Sequence, residues 1–164
     1  MKIQFDGAAQ TVTGSQHLLE INGKRLLLDC GLFQGKRKDF YNRNLNFKYE
    51  PASIDAVVLS HAHIDHSGNL PNLLKKGFSG PIYTTPATAM LADVMLRDAG
   101  HIQESDVLFV NKKRARQGEP PLEPLYTIED AARVANYFKS TEYDQPTEIL
   151  PGVTLTLVEA GHIM

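Results

Sequence analysis

The stretch that most limits what this chain can fold into is His61-Ala62-His63-Ile64-Asp65-His66, which holds three of the six histidines and an aspartate within six residues. Imidazole nitrogen and carboxylate oxygen are good ligands for a divalent transition metal. The cluster follows directly on residues 54–60, a short β-branched run consistent with a strand covered on both faces. A fold that accommodates both must end a buried strand at a loop where ligands converge, the place where α/β proteins tend to put their sites. Positions i and i+2 at a strand end point the same way, so His61 and His63 can grip one ion together. Asp65 and His66, in the turn that follows, can reach a second ion.

Residues 2–5 pattern as an opening strand. Asn22-Gly23, between residues 17–21 and 24–30, signals a hairpin because the pair supplies the two positive-φ positions of a tight turn. Residues 32–53 read as a long loop with a short helical piece. Residues 71–76 read as a short helix capped by Asn69 or Ser67, with Pro71 in its first turn and Gly77 as its stop. Residues 81–85 form another strand. Thr85-Pro86 opens a helix to about residue 103, with Met90, Val94 and Leu96 among its apolar positions. Residues 111–124 carry Lys112, Lys113, Arg114 and Arg116 and then three prolines, a loop pattern. Thr127-Ile128-Glu129-Asp130 has the spacing of a capping box and starts a helix to about residue 140. Residues 149–159 hold a Pro151-Gly152 turn and an alternating strand over 153–158, which runs into Ala160-Gly161-His162. Strands with interspersed helices make the class α/β, helices packed on sheet.

Hydrophobic residues make up 42% and charged residues 22%, ordinary values for a soluble globular chain. The net charge of -2 excludes a globally basic nucleic-acid binder, so phosphates would have to be met by a local patch or by the metal site. A single cysteine, Cys30, excludes an internal disulfide framework and fits a reducing compartment. The N-terminus has no apolar signal-peptide core and no run approaches bilayer length, so the expectation is a soluble, cytoplasmic protein without membrane partners. Self-association is left open. No His-Glu-x-x-His, P-loop or dinucleotide-binding glycine pattern competes with the histidine cluster.

His61-Ala62-His63-Ile64-Asp65-His66-Ser67-Gly68 resembles the signature motif of the metallo-β-lactamase superfamily. Leu27-Leu28-Asp29-Cys30-Gly31 is similar to its first motif and Ala160-Gly161-His162 to its third. Val12-Thr13-Gly14-Ser15-Gln16-His17-Leu18-Leu19-Glu20 and Arg97-Asp98-Ala99-Gly100-His101-Ile102-Gln103-Glu104 are similar to the β-CASP branch, RNA-processing nucleases related to the cleavage and polyadenylation endonuclease. The resemblance covers essentially the whole chain. It implies an αββα sandwich, with these residues as its N-terminal part, and a zinc-dependent ribonuclease that cleaves single-stranded RNA with a metal-bound hydroxide. Residue by residue, it implies that His61, His63 and His162 bind one zinc. Asp65 and His66 would bind the other and serve as catalytic positions, and Asp29 would orient a ligand imidazole from behind. The family's bridging aspartate, its later histidine and the β-CASP cassette follow the third motif. The expectation is therefore an incomplete second metal site and no catalysis by these 164 residues alone. Two further readings stay open at this point: a hydrolase of the same fold acting on a small ester, thioester or cyclic phosphodiester, and a folded fragment without catalysis. His17 and His101 read as structural or pocket-lining, Cys30 as a small buried residue, and the basic run from Lys112 to Arg116 as solvated surface or an RNA contact.

Overall fold

Two short apolar runs, Leu26-Leu27-Leu28 and Ala56-Val57-Val58, form the middle of the sheet and set its two faces. The structure, a computed structural model, describes residues 1–163 and the side chains among them other than Arg37 and Lys38. Strands β1 (Lys2–Phe5), β2 (His17–Ile21) and β3 (Lys24–Leu28) are antiparallel neighbours. β3 then pairs in parallel with β4 (Ala56–Val58), β4 with β5 (Ile82–Thr84), and β5 with β6 (Phe138–Ser140). Spatial order follows chain order across the six strands. At the β2–β3 turn, Asn22 and Gly23 take φ of 51° and 73°, as the hairpin signal requires.

Side chains alternate along each strand, so each apolar run serves two cores. Leu27 and Val57, with Leu18 and Ile82, face a layer of helices: α3 (Leu70–Lys75), α4 (Pro86–Arg116) and α5 (Ile128–Arg133), which contribute Leu70, Leu73, Ala92, Leu96 and Ala131. Leu26, Ala56 and Val58 face the other way, onto Ile149 and Val153 of the two-stranded sheet β7 (Thr147–Leu150) and β8 (Val153–Leu155). Helix, sheet and small second sheet are three layers of the expected sandwich; a second helical layer is not formed by the described residues. The two tight turns touch, since Asn22 Nδ2 lies 3.3 Å from the carbonyls of both Pro151 and Gly152. Two short helices complete the chain, α1 (Arg37–Leu45) and α2 (Ile64–Ser67). No helix among the described residues is long and apolar enough to cross a membrane.

Five expectations are corrected. Helix α4 does not stop near residue 103 but continues to Arg116, so the whole basic run from Lys112 to Arg116 is helical rather than loop. Nothing between residues 101 and 116 breaks a helix, and Lys113, Arg114 and Arg116 occupy its last turn, where the helix dipole favours cations. The proline segment folds back on that end: Asn111 exchanges two bonds with Leu122 (2.9 and 2.8 Å) and Arg114 Nε donates to the Pro120 carbonyl at 2.7 Å. Of the three apolar positions named on α4, Leu96 is fully buried, while Met90 is 75% and Val94 65% exposed. The buried face is Thr88, Ala92, Leu96, Gly100 and Val107, a stripe of mostly small residues that hydropathy does not mark. Gly100 belongs there because a Cβ would come within 2.9 Å of Thr127 and Ile128 backbone atoms.

The helix begun at the capping box is also shorter than expected. Thr127 Oγ1 accepts from Asp130 N, and Asp130 Oδ2 accepts from Thr127 N, both at 3.1 Å, as the motif demands. But α5 ends at Arg133, a 3-10 turn spans Val134–Tyr137, and residues 138–140 become β6. Finally, neither proposed residue caps α3. Asn69 holds the N-cap position, yet its side chain donates to the Asn44 carbonyl at 3.1 Å, and Ser67 belongs to α2, where its hydroxyl donates to Ala62. The last strand likewise ends at Leu155 rather than 158, with one isolated bridge between Tyr143 and Leu157 beyond it.

These contacts predict a contrast within one helix. Leu96→Ala should lower unfolding stability by about 2–5 kcal/mol, through lost burial and a residual cavity. Val94→Ala should stay within about 0.5 kcal/mol, and Thr127→Ala should cost about 1 kcal/mol through the lost cap. Urea titrations of the three variants measure all of these.

Candidate metal centre

The site is assembled where β3 and β4 end side by side. The backbone N–H of Asp29 donates to the Val58 carbonyl at 2.9 Å, one residue past the parallel ladder. Asp29 then turns into the left-handed region, φ 57°, a conformation that aspartate tolerates better than most residues. The turn directs its carboxylate across the neighbouring strand end. Oδ1 accepts from Ser60 N at 2.8 Å, and Oδ2 accepts from Ser60 Oγ at 3.0 Å, from His66 Nδ1 at 2.7 Å and from Ser15 Oγ at 3.4 Å.

The backbone beyond Asp29 is laced to the loop that follows His63. Cys30 N donates to the His66 carbonyl, Leu32 N to that of Ile64, and Asn69 N to that of Cys30, at 2.8, 2.9 and 2.8 Å. From the other side Ser15 N donates to the Asp65 carbonyl at 2.8 Å. Gly31 sits inside this lacing, and a Cβ there would overlap the Asp65 carbonyl, so only glycine fits.

One carboxylate thereby sets two imidazoles. The Ser60 hydroxyl has a single proton, which it gives to Asp29, so its oxygen is what remains for His61 Nδ1, 2.9 Å away. His61 Nδ1 is then the protonated nitrogen, and Nε2 carries the free lone pair. His66 Nδ1 donates to Asp29 directly, with the same result at its own Nε2. Burial, and next the positive potential of a protonated His66, hold the His61 imidazole below its ordinary value, which keeps it in the lone-pair form. The bond to Asp29 raises His66, with Asp29 and Asp65 charges adding to it.

His61 Nε2 lies 3.1 Å from His63 Nδ1, which lies 3.3 Å from His162 Nε2. Imidazole nitrogens about 2.0–2.1 Å from a tetrahedral zinc lie roughly 3.3 Å apart, so each of these two spacings suits a pair of ligands on one ion. Among the described residues these three histidines are the group of three or more ligand-type side chains that converge, with ligand atoms within 4.8 Å of one another. His162 comes from 99 positions further along the chain. Asp65 and His66, expected at a second ion, face each other with Nε2 and Oδ2 3.9 Å apart, two donors of a set that needs more. His17 is not among the converging ligands: its ring is edge-on to Phe5 at 5.2 Å and its Nε2 lies 3.5 Å from Ser15 Oγ, while His101 is exposed on α4.

Three residues of this arrangement had no role assigned from the sequence: Ser15, Gly31 and Ser60. Ser60 could have been suspected from its place, immediately ahead of His61 at a strand end. Cys30 is fully buried, and burial followed by the Asp29 charge pushes its thiol far above the usual range. It is a packing residue with no access to thiolate chemistry.

Residues 10–158 match the family described as the metallo-beta-lactamase superfamily. A ribonuclease of Thermus thermophilus is 37% identical over 163 residues, an alignment covering 99% of this chain and 33% of that protein. The transcription termination factor FttA of Methanocaldococcus jannaschii is 29% identical over 164 residues, covering 100% of this chain and 24% of that one. Its counterpart in Thermococcus kodakarensis is 31% identical over 166 residues, covering 96% and 24%. The chain therefore spans a third or less of the length of these relatives.

Removing the groups behind the ligands should weaken metal binding without removing a ligand. Asp29→Ala and Ser60→Ala should each lower affinity by about 10–100-fold, read by competition with a chromophoric chelator. Cys30 should resist maleimide in the folded protein and react fully once the chain is unfolded in urea.

Proposed function

The chain belongs to the metallo-beta-lactamase superfamily, and on that premise we propose that it carries the metal-binding part of a zinc-dependent ribonuclease of the β-CASP branch. The observation that carries the reading is the convergence of His61, His63 and His162, with a lone pair on His61 fixed by Asp29 through Ser60. Three converging imidazole donors favour zinc over magnesium or calcium, which take oxygen ligands. The similarity to a Thermus thermophilus protein named a ribonuclease supports RNA as the substrate class.

Bound at these residues, zinc supplies Lewis-acid polarisation of a phosphoryl oxygen and a water acidic enough to attack at neutral pH. The chain's own residues do the rest. His61, His63 and His162 hold one ion, while Asp65 and His66 are assigned to a second, together with ligands outside these three histidines. Asp29 keeps the His66 proton on Nδ1, away from the metal side, and Ser60 does the same for His61. The backbone bonds from Cys30 and Leu32 hold the loop between His63 and Asn69 in place, so the donors need little rearrangement on binding. Activity, RNA substrate and any partner are proposed for the whole protein in which this segment works.

The whole protein should cleave single-stranded RNA, and these 164 residues alone should not. Cleavage should stop on chelation, return with zinc, and fall by at least about 10³-fold in His63→Ala, as expected when a metal site is lost. Cleavage that survives chelation would contradict the reading. Turnover of a thioester or cyclic phosphodiester with RNA ignored would replace it with a small-substrate hydrolase.

A further inference from the structure

Beside the metal loop lies a cavity of about 520 Å³, within the range of sites for small molecules. One wall is the β1–β2 loop, residues 6–16; the other is formed by Phe33, the end of α1 and the segment that follows it to Lys48. Two rings, Phe33 and Phe47, line it together with two cations, Arg43 and Lys48. The Arg43 guanidinium carbon sits 4.2 Å over the centre of the Phe33 ring. Neither cation is paired with a carboxylate among the described residues. The single acid in the lining, Asp6, engages Gln4 Nε2 through Oδ1 at 2.8 Å. Asn42 and Asn46 add exposed amides at the rim.

The walls are tied together before any ligand arrives. Asn44, buried to 1% exposure, accepts from Phe33 N at 2.8 Å and donates to the Phe33 and Phe40 carbonyls, both at 2.9 Å. Across the cavity, Gln34 N donates to Thr13 Oγ1 at 2.9 Å, and Gly14 lies so close to Phe33 that a Cβ would come within 3.0 Å. The cavity also shares a wall with the metal loop: Gly14 lines it, and the next residue, Ser15, bonds both the Asp65 carbonyl and Asp29.

Aromatic faces, unpaired cations and amide edges are what a nucleotide needs: a surface for base stacking, charge for phosphate, and donors and acceptors for the base edge. We propose that this cavity binds one nucleotide of a single-stranded RNA. The base stacks on the Phe33–Phe47 side and a phosphate meets Arg43 and Lys48. The assignment rests on the ribonuclease reading for the strand, while the nucleotide site itself is measured without it.

Uridine and adenosine monophosphate should be titrated into the metal-free protein by NMR. Shifts should concentrate on residues 6–16, 33 and 42–48. Arg43→Ala, an exposed change with little risk to the fold, should weaken binding roughly tenfold, as should Phe47→Ala, checked for folding by circular dichroism. Lys112→Ala, at the far end of α4, should have no effect. In the zinc-loaded whole protein Arg43→Ala should raise KM for RNA about tenfold. The site is overturned if monophosphates do not bind, or if Arg43→Ala leaves both their affinity and the KM for RNA as in the parent. Arg43-dependent nucleotide binding in a protein that cleaves no RNA would sustain the nucleotide site and sink the ribonuclease reading instead.

Discussion

The structure depends on one carboxylate. Asp29 gathers a backbone N–H, two hydroxyls and an imidazole from two segments distant from it in sequence, one at Ser15 and one from Ser60 to His66. It is only 7% exposed, where a carboxylate is tolerable because donors replace the water it has lost. Remove it, and the partner groups lose both their bonding and their orientation in the same step. The parallel pairing of β3 with β4 makes the gathering possible: it brings the two strand ends together, so that a left-handed turn at one meets the start of the ligand loop at the other.

Around that carboxylate, the layers divide the work. The helical layer, through Leu70, Leu73, Ala92 and Leu96, holds the sheet face from which the metal loop emerges. The hairpin of β7 and β8 covers the opposite face through Ile149 and Val153 and leads the chain back to His162. The third ligand is thus delivered by packing on the far side of the sheet from the helices. Fold and site are coupled: a slip of one residue in β4 would turn Val57 out of the helical core and carry His61 and His63 together away from Asp29 and His162.

Much of this was legible because the residues involved have strong local preferences. Asn22-Gly23 can hardly be other than a tight turn, Thr127 to Asp130 form the capping box their spacing suggests, and a His-x-His pair after a β-branched run has few uses besides ligation. What was not legible depends on tertiary contact. The buried face of α4 includes Thr88, Ala92 and Gly100, the last because the start of α5 approaches too closely for a Cβ, so Met90 and Val94 drew attention to the exposed face. Residues 138–140 continue a helical pattern by composition, but an open sheet edge beside β5 makes them a strand. Asn69 gives up its capping role because the buried Asn44 carbonyl is the more demanding acceptor. At the site, ligand types were visible but the service of Ser60 and Gly31 was not, since a serine or glycine at a strand end has many bland uses. The cavity between residues 6–16 and 33–48 was hidden for the same reason, its parts being dispersed over a stretch without periodicity.

Asp29 dictates which imidazole nitrogens are free for metal. Long-range proton–nitrogen NMR of the metal-free protein, at alkaline pH where the imidazoles are neutral, reads this directly. His61 and His66 should both show the proton on Nδ1 and a bare Nε2, and Asp29→Ala should leave each a mixture of tautomers. Protons on Nε2 in the parent protein, or tautomers indifferent to Asp29→Ala, would contradict the account.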